Sequence, residues 1–111
     1  MADDLVVQVY ALSKTFPREE LFGLTSQMRR GAVSVASNIV EGCARNTQAD
    51  YVHFLIIAYG SVKELEYQAS LSHRLGFLNA DDAQSLAAAS VSLAKTLNAL
   101  IASLRDPKSK A

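Results

Sequence analysis

Residues 27–46, QMRRGAVSVASNIVEGCARN, have the period of an α-helix with more than one apolar side. Leu24, Met28, Ala32, Val35, Ile39 and Cys43 recur in steps of three and four, which puts them on one helical face. A second line, Val33, Ala36 and Val40, runs beside the first and makes the apolar arc wider than a surface helix needs. A polar line separates the two: Gln27, Arg30, Ser34, Asn38, Glu41 and Arg45. A helix of this kind has two partners, its own bundle and, on the second face, another subunit. Gly31 and Gly42 interrupt it, each costing about 1 kcal/mol relative to Ala. That cost points to close backbone approach at both positions.

The rest of the chain agrees with a helical domain. Its 111 residues suffice for one domain with one core. Half of them are apolar, there is no Trp, and Pro and Gly are scarce. Eleven basic residues balance eleven acidic ones, so net charge does not advertise nucleic-acid binding, although a local patch remains open. The single cysteine, Cys43, excludes a disulfide framework within the chain. The start, MADDLVVQVY, lacks the basic region and cleavage site of a signal peptide. The longest apolar run, residues 54–59, is shorter than a bilayer requires. These features predict a cytoplasmic protein without a membrane partner.

Four helices are expected. The first runs from Asp3 or Asp4 to Lys14, with Leu5, Val9, Leu12 and Phe16 on one face. Pro17 ends it and opens a short turn carrying Glu19 and Glu20. The second starts near Leu24, after Gly23, and ends around Arg45. Thr47 with Asp50 resembles a capping box for the third, which runs to Leu75 with Gly76 as its C-terminal cap. Its first half, YVHFLIIAY, is apolar almost all round and belongs to core or interface. Asn79 with Asp82 starts the fourth, where Leu86, Ser90, Leu93, Leu97, Leu100 and Leu104 form a heptad seam. Residues 1–106 make one domain, followed by a short frayed tail at 107–111.

The brief link between the second and third helices makes them antiparallel neighbours. Residue numbers summing to about 93 then stand level. Arg29 or Arg30 comes opposite Glu64, and Gly31 opposite Val62 beside Gly60 and Ser61. Two patches of small residues would face each other next to an Arg–Glu pair. Glu41, on the arginines' own helix, is a second pairing partner.

No catalytic constellation emerges. His53 and His73 are far apart on one helix, and paired Glu-x-x-His motifs of a di-iron bundle are missing. Cys43 near a helix C-terminus has its thiolate disfavoured and reads as a small packing residue. The glycines are isolated inside helices and make no phosphate loop. Glu64 and Glu66 do not share a face. A non-enzymatic protein without cofactor or metal is the expectation.

The segments FPREELFGLTSQMRRGAVSVASNIVEGCAR (16–45) and FLIIAYGSVKELEYQ (54–68) resemble a known family. It comprises the bacterial four-helix-bundle proteins encoded by intervening sequences of the 23S ribosomal RNA gene. The likeness rests on Phe16-Pro17, Glu20, Phe22-Gly23-Leu24, the run from Gln27 to Arg30, Asn38-Ile39, Glu41-Gly42, Arg45, Gly60-Ser61, Glu64-Leu65 and Leu75-Gly76. It implies an all-α, up-down-up-down antiparallel four-helix bundle assembling into a ring, typically a pentamer. The chain is also similar to the accessory variability determinant of diversity-generating retroelements, a positively charged pentameric ring associated with a reverse transcriptase and nucleic acid. Here the formal charge is zero. The family's biochemical function is not established, so no catalytic residue carries over.

The expected function is therefore a homo-oligomeric helical scaffold that contacts RNA, DNA or an RNA-associated protein. Arg29, Arg30 and Arg45 are the candidate contacts, against a competing reading as ion pairs with Glu64 and Glu41. The alternative is a protein–protein adaptor with no nucleic-acid role.

Overall fold

The computed structural model describes residues 1–106, and the tail expected at 107–111 lies outside them. Four α-helices, with no strand among the described residues, make up the fold: α1 (Ala2–Ser13), α2 (Leu24–Cys43), α3 (Gln48–Arg74) and α4 (Ala80–Arg105). A 3₁₀ turn, Arg18–Glu20, joins α1 to α2.

Local chemistry sets these boundaries. The Thr47 hydroxyl accepts the Asp50 amide at 3.1 Å, and Asn79 Oδ1 accepts the Asp82 amide at 2.8 Å. Gly76 ends α3 at φ 82°. Its amide bonds the His73 carbonyl and the Phe77 amide bonds that of Ser72, the crossed pair that closes a helix on a left-handed glycine. Glu20 departs from expectation. Instead of serving its own turn, its carboxylate accepts the Leu24 amide at 3.2 Å and caps the start of α2.

Successive helices pack side by side, α1 also lies against α4, and α2 and α4 have no close backbone approach. Ser34 meets Ser61 and Met28 meets Ser72, so α2 and α3 run antiparallel. Gln48, at the start of α3, donates to the Leu104 carbonyl at the end of α4, which makes that pair antiparallel too. The core takes Leu5 and Val9 from α1, Met28, Ala32 and Val35 from α2, Leu55, Val62 and Leu65 from α3, and Leu86, Leu93 and Leu97 from α4. The α4 seam is thus buried through Leu97, with Leu100 and Leu104 half-buried. By length and composition α4 would suffice to cross a membrane, contrary to the expectation that no stretch does. Its Leu86, Leu93, Leu97 and Ile101 nevertheless face the bundle core.

Level pairing between α2 and α3 needs correction. Gly42 meets Tyr51 as expected, but Ser34 meets Ser61 rather than residue 59, and Met28 meets Ser72 rather than residue 65. The offset grows with distance from the α2–α3 link, from none at Gly42 to two residues at Ser34 and seven at Met28. Arg29 and Arg30 form no ion pair with Glu64, which instead accepts a hydrogen bond from Gln68 at 3.4 Å.

The expected glycine contact fails as well. A Cβ on Gly31 would meet only Gln68 Oε1, at 4.0 Å, and one on Gly60 would meet nothing within 4 Å. Ser61 does stand at the helix interface, sharing a 3.2 Å hydrogen bond with Ser34. Asn38 extends this polar strut by donating to the Ser34 hydroxyl at 3.0 Å. Close approach occurs at Gly42, whose Cβ would lie 3.0 Å from Tyr51 Cδ1 and 3.1 Å from Phe54 Cβ.

Candidate functional site

The three candidate arginines do not form one patch. Arg29 and Arg30 lie near the start of α2 and Arg45 just beyond its end, separated by about 24 Å of helix. Arg45 binds Glu41 through both its carboxylate and, at 3.3 Å, its carbonyl. Its guanidinium also lies 5.1 Å from the centre of the Phe54 ring. This places Glu41 and Arg45 together on the surface.

Arg29 turns the other way, toward α1. Its Nε donates to the Ser13 hydroxyl at 2.8 Å, and its guanidinium sits 4.9 Å over the Tyr10 ring. It ties α1 to α2. Arg30 is exposed and makes no ion pair among the described residues. Lys63 pairs with Glu66 at 3.1 Å.

Two cations that sequence reasoning did not propose as contacts, Lys14 and Arg18, join Arg29 around a hollow at the α1–α2 corner. Only the fold brings them together, because no local spacing relates positions 14, 18 and 29. Phe22 stands beside this corner, 93% exposed. The second apolar line of α2 also lies outside the core: Val33 is exposed and Val40 is 69% exposed.

At the opposite end of α2, Cys43 is exposed rather than packed, which corrects the sequence reading. The buried line of α2 passes from Val35 through half-buried Ile39 to Gly42 in the last turn, which leaves Cys43 facing out. Burial pushes the phenol of the adjacent Tyr51 above its ordinary value, and Cys43 adds to the shift by charge and hydrogen bonding. On α3, His73 Nδ1 lies 3.1 Å from the Leu78 carbonyl, within the α3–α4 turn, and His53 is exposed against Phe54.

Fold and surface define an all-α four-helix protein whose charged groups lie at the helix ends and outer faces. Residues 1–99 match the family model described as 23S rRNA-intervening sequence protein, and the chain belongs to that family. It is similar in structure to a crystallised protein of unknown function from the S23 ribosomal protein family of Bacteroides thetaiotaomicron. The two share 23% identity and a TM-score of 0.81, over 90% of this chain and 94% of that one. That likeness establishes the fold alone. No curated protein sequence matches the chain.

Proposed function

We propose that this protein is a non-catalytic scaffold of the cytoplasm that associates with copies of itself into a ring. The observation that carries this reading is the exposed apolar line of α2, with Val33 and Val40 presented to solvent two turns apart. Ile56 and Ile57 of α3, also exposed, supply further apolar surface. Repetition around a ring multiplies any weak contact that each subunit makes. The exposed Arg30 and Arg45 are the groups through which such a ring contacts nucleic acid. A neutral net charge favours a second reading, in which the assembled surface binds a protein partner instead.

Light scattering on purified full chain tests the assembly. A multimer that Val40→Lys converts to a folded monomer supports the reading, and a wild-type monomer defeats it. The ratio of absorbance at 260 and 280 nm, on protein untreated with nuclease, separates the two partner classes. With four Tyr and no Trp, the chain absorbs weakly enough at 280 nm for bound nucleic acid to stand out.

A further inference from the structure

The corner where α1 gives way to α2 encloses a hollow of about 500 Å³, open to solvent. Three elements supply its cations: Lys14 follows α1, Arg18 lies on the 3₁₀ turn, and Arg29 comes from α2. None of the three is in an ion pair among the described residues. Arg45 and Lys63 each have a carboxylate partner, while Arg30, Arg74, Lys95 and Arg105 are, like these three, outside the ion pairs of the described residues. What sets the hollow apart is that three cations line one cavity. Of the turn's own acids, Glu20 is held by the Leu24 amide, and Glu19 does not line the hollow.

Two hydroxyl residues complete the walls, Ser13 and Thr25, only 3% and 4% exposed. Ser13 is used internally. It donates to the Tyr10 carbonyl at 3.4 Å and accepts Arg29 Nε, fixing the guanidinium while leaving the terminal nitrogens uncommitted to any hydrogen bond. Thr25 has no hydrogen-bond partner among the described residues, although nearly all of its surface is covered. No side-chain polar atom there is both sealed from solvent and unpaired. The Thr25 hydroxyl therefore keeps some access to solvent, and Thr25 lines both this hollow and the neighbouring one beside Phe22 and Arg30. Phe16 gives the cavity an apolar side.

An unpaired triple positive charge, a pre-aligned guanidinium and a free hydroxyl suit a tetrahedral oxyanion. We propose that this hollow is a phosphate-binding site, taking either a backbone phosphate of a nucleic acid or the phosphoryl group of a small metabolite. Its size falls in the range of small-ligand cavities, so it has room for more than the phosphoryl group. The site is complete within one chain and does not rest on self-association.

The test is a titration of the full chain, followed by amide and arginine Nε NMR signals, with inorganic phosphate, adenosine 5′-monophosphate and a ten-nucleotide oligothymidylate. Shifts centred on Lys14, Arg18, Thr25 and Arg29 are expected. Arg18→Gln and Thr25→Val should each weaken binding about tenfold, the effect of losing one charge-assisted partner or buried hydroxyl. Lys95→Gln, on α4, should leave it unchanged. Arg18 is exposed on the turn and Val keeps the shape of the buried Thr25, so the unshifted remainder of the spectrum reports the intact fold. Arg29 is spared because it also anchors α1.

Oligonucleotide binding much tighter than mononucleotide binding, and weakened by salt, assigns the phosphate to a nucleic-acid backbone. Equal affinities assign it to a metabolite. Shifts located elsewhere, binding unaffected by Arg18→Gln and Thr25→Val, or no response to any of the three probes overturns the proposal. Light scattering in the same buffer reports self-association separately.

Discussion

Gly42 and Tyr51 touch where α2 and α3 meet. A Cβ on Gly42 would come within 3.0 Å of Tyr51 Cδ1 and 3.1 Å of Phe54 Cβ, a position tied to the α3 backbone. Gly42→Ala therefore forces the helices apart. The expected overpacking cost is about 1–3 kcal/mol, against a helix-propensity gain of about 1 kcal/mol. Gly60→Ala meets no atom within 4 Å and should instead stabilise the protein by up to about 1 kcal/mol. Urea unfolding of the two variants checks the contrast, and the opposite ranking would refute this account of α2–α3 packing.

The caps of α3 and α4 should behave alike. Thr47→Ala and Asn79→Ala each remove a side-chain acceptor for the first helical turn. Each should lower stability by about 1 kcal/mol. Thermal melts followed by circular dichroism measure this, and unchanged midpoints would mean that water replaces the caps without cost.

The arginines should separate into three classes. Arg29→Ala leaves the buried Ser13 hydroxyl without its donor and removes the contact with Tyr10, and should cost about 1–2 kcal/mol. Arg30→Ala should stay within about 0.5 kcal/mol of wild type. Arg45→Glu breaks an exposed pair and places two acids four residues apart, for less than about 1 kcal/mol. A strongly destabilised Arg45→Glu would make that pair a structural element and remove it as a contact candidate.

Alkaline pH should expose the environment of Tyr51. Its phenol titrates above the ordinary tyrosine value, so folding favours the neutral form. The stability this contributes is complete below the unfolded-state value and is lost as pH rises through the higher folded-state one. Tyr51→Phe should therefore flatten the alkaline limb of the stability curve and leave the neutral range little changed. Near-ultraviolet absorbance should show one tyrosine transition, raised above the ordinary value, vanish in that variant. Cys43→Ser should move the transition down, since Cys43 contributes to the shift.

The helices were legible because their signals are local. Steps of three and four at Met28, Ala32 and Val35, the heptad at Leu86, Leu93 and Leu97, and cap residues such as Asn79 need no knowledge of the partner helix. Register between α2 and α3 was legible only beside their link, where Gly42 meets Tyr51. The Arg–Glu64 pairing failed because Arg29 turns toward α1, onto Ser13 and Tyr10, while Glu64 bonds Gln68 of its own helix. Gly31 and Gly42 looked equivalent in the sequence, yet only Gly42 faces aromatic side chains from the next helix. The phosphate hollow was invisible for a third reason. Lys14, Arg18 and Thr25 become neighbours only after the chain has turned the corner at Pro17.

α1 packs on its neighbour α2 and also on α4, the helix most distant from it in sequence. Its Gln8 bonds Ser85, 77 positions away, at 3.2 Å. α2, α3 and α4 each pack on a sequence neighbour, so their contacts close short loops and form early. With twelve residues and only Leu5, Val9 and Ser13 buried, α1 is the unit that docks last and lifts first. Its amides should exchange with deuterium before those at the centres of α3 and α4. The Arg29–Ser13 hydrogen bond crosses from α2 to α1, so its removal should speed exchange of the α1 amides before any others.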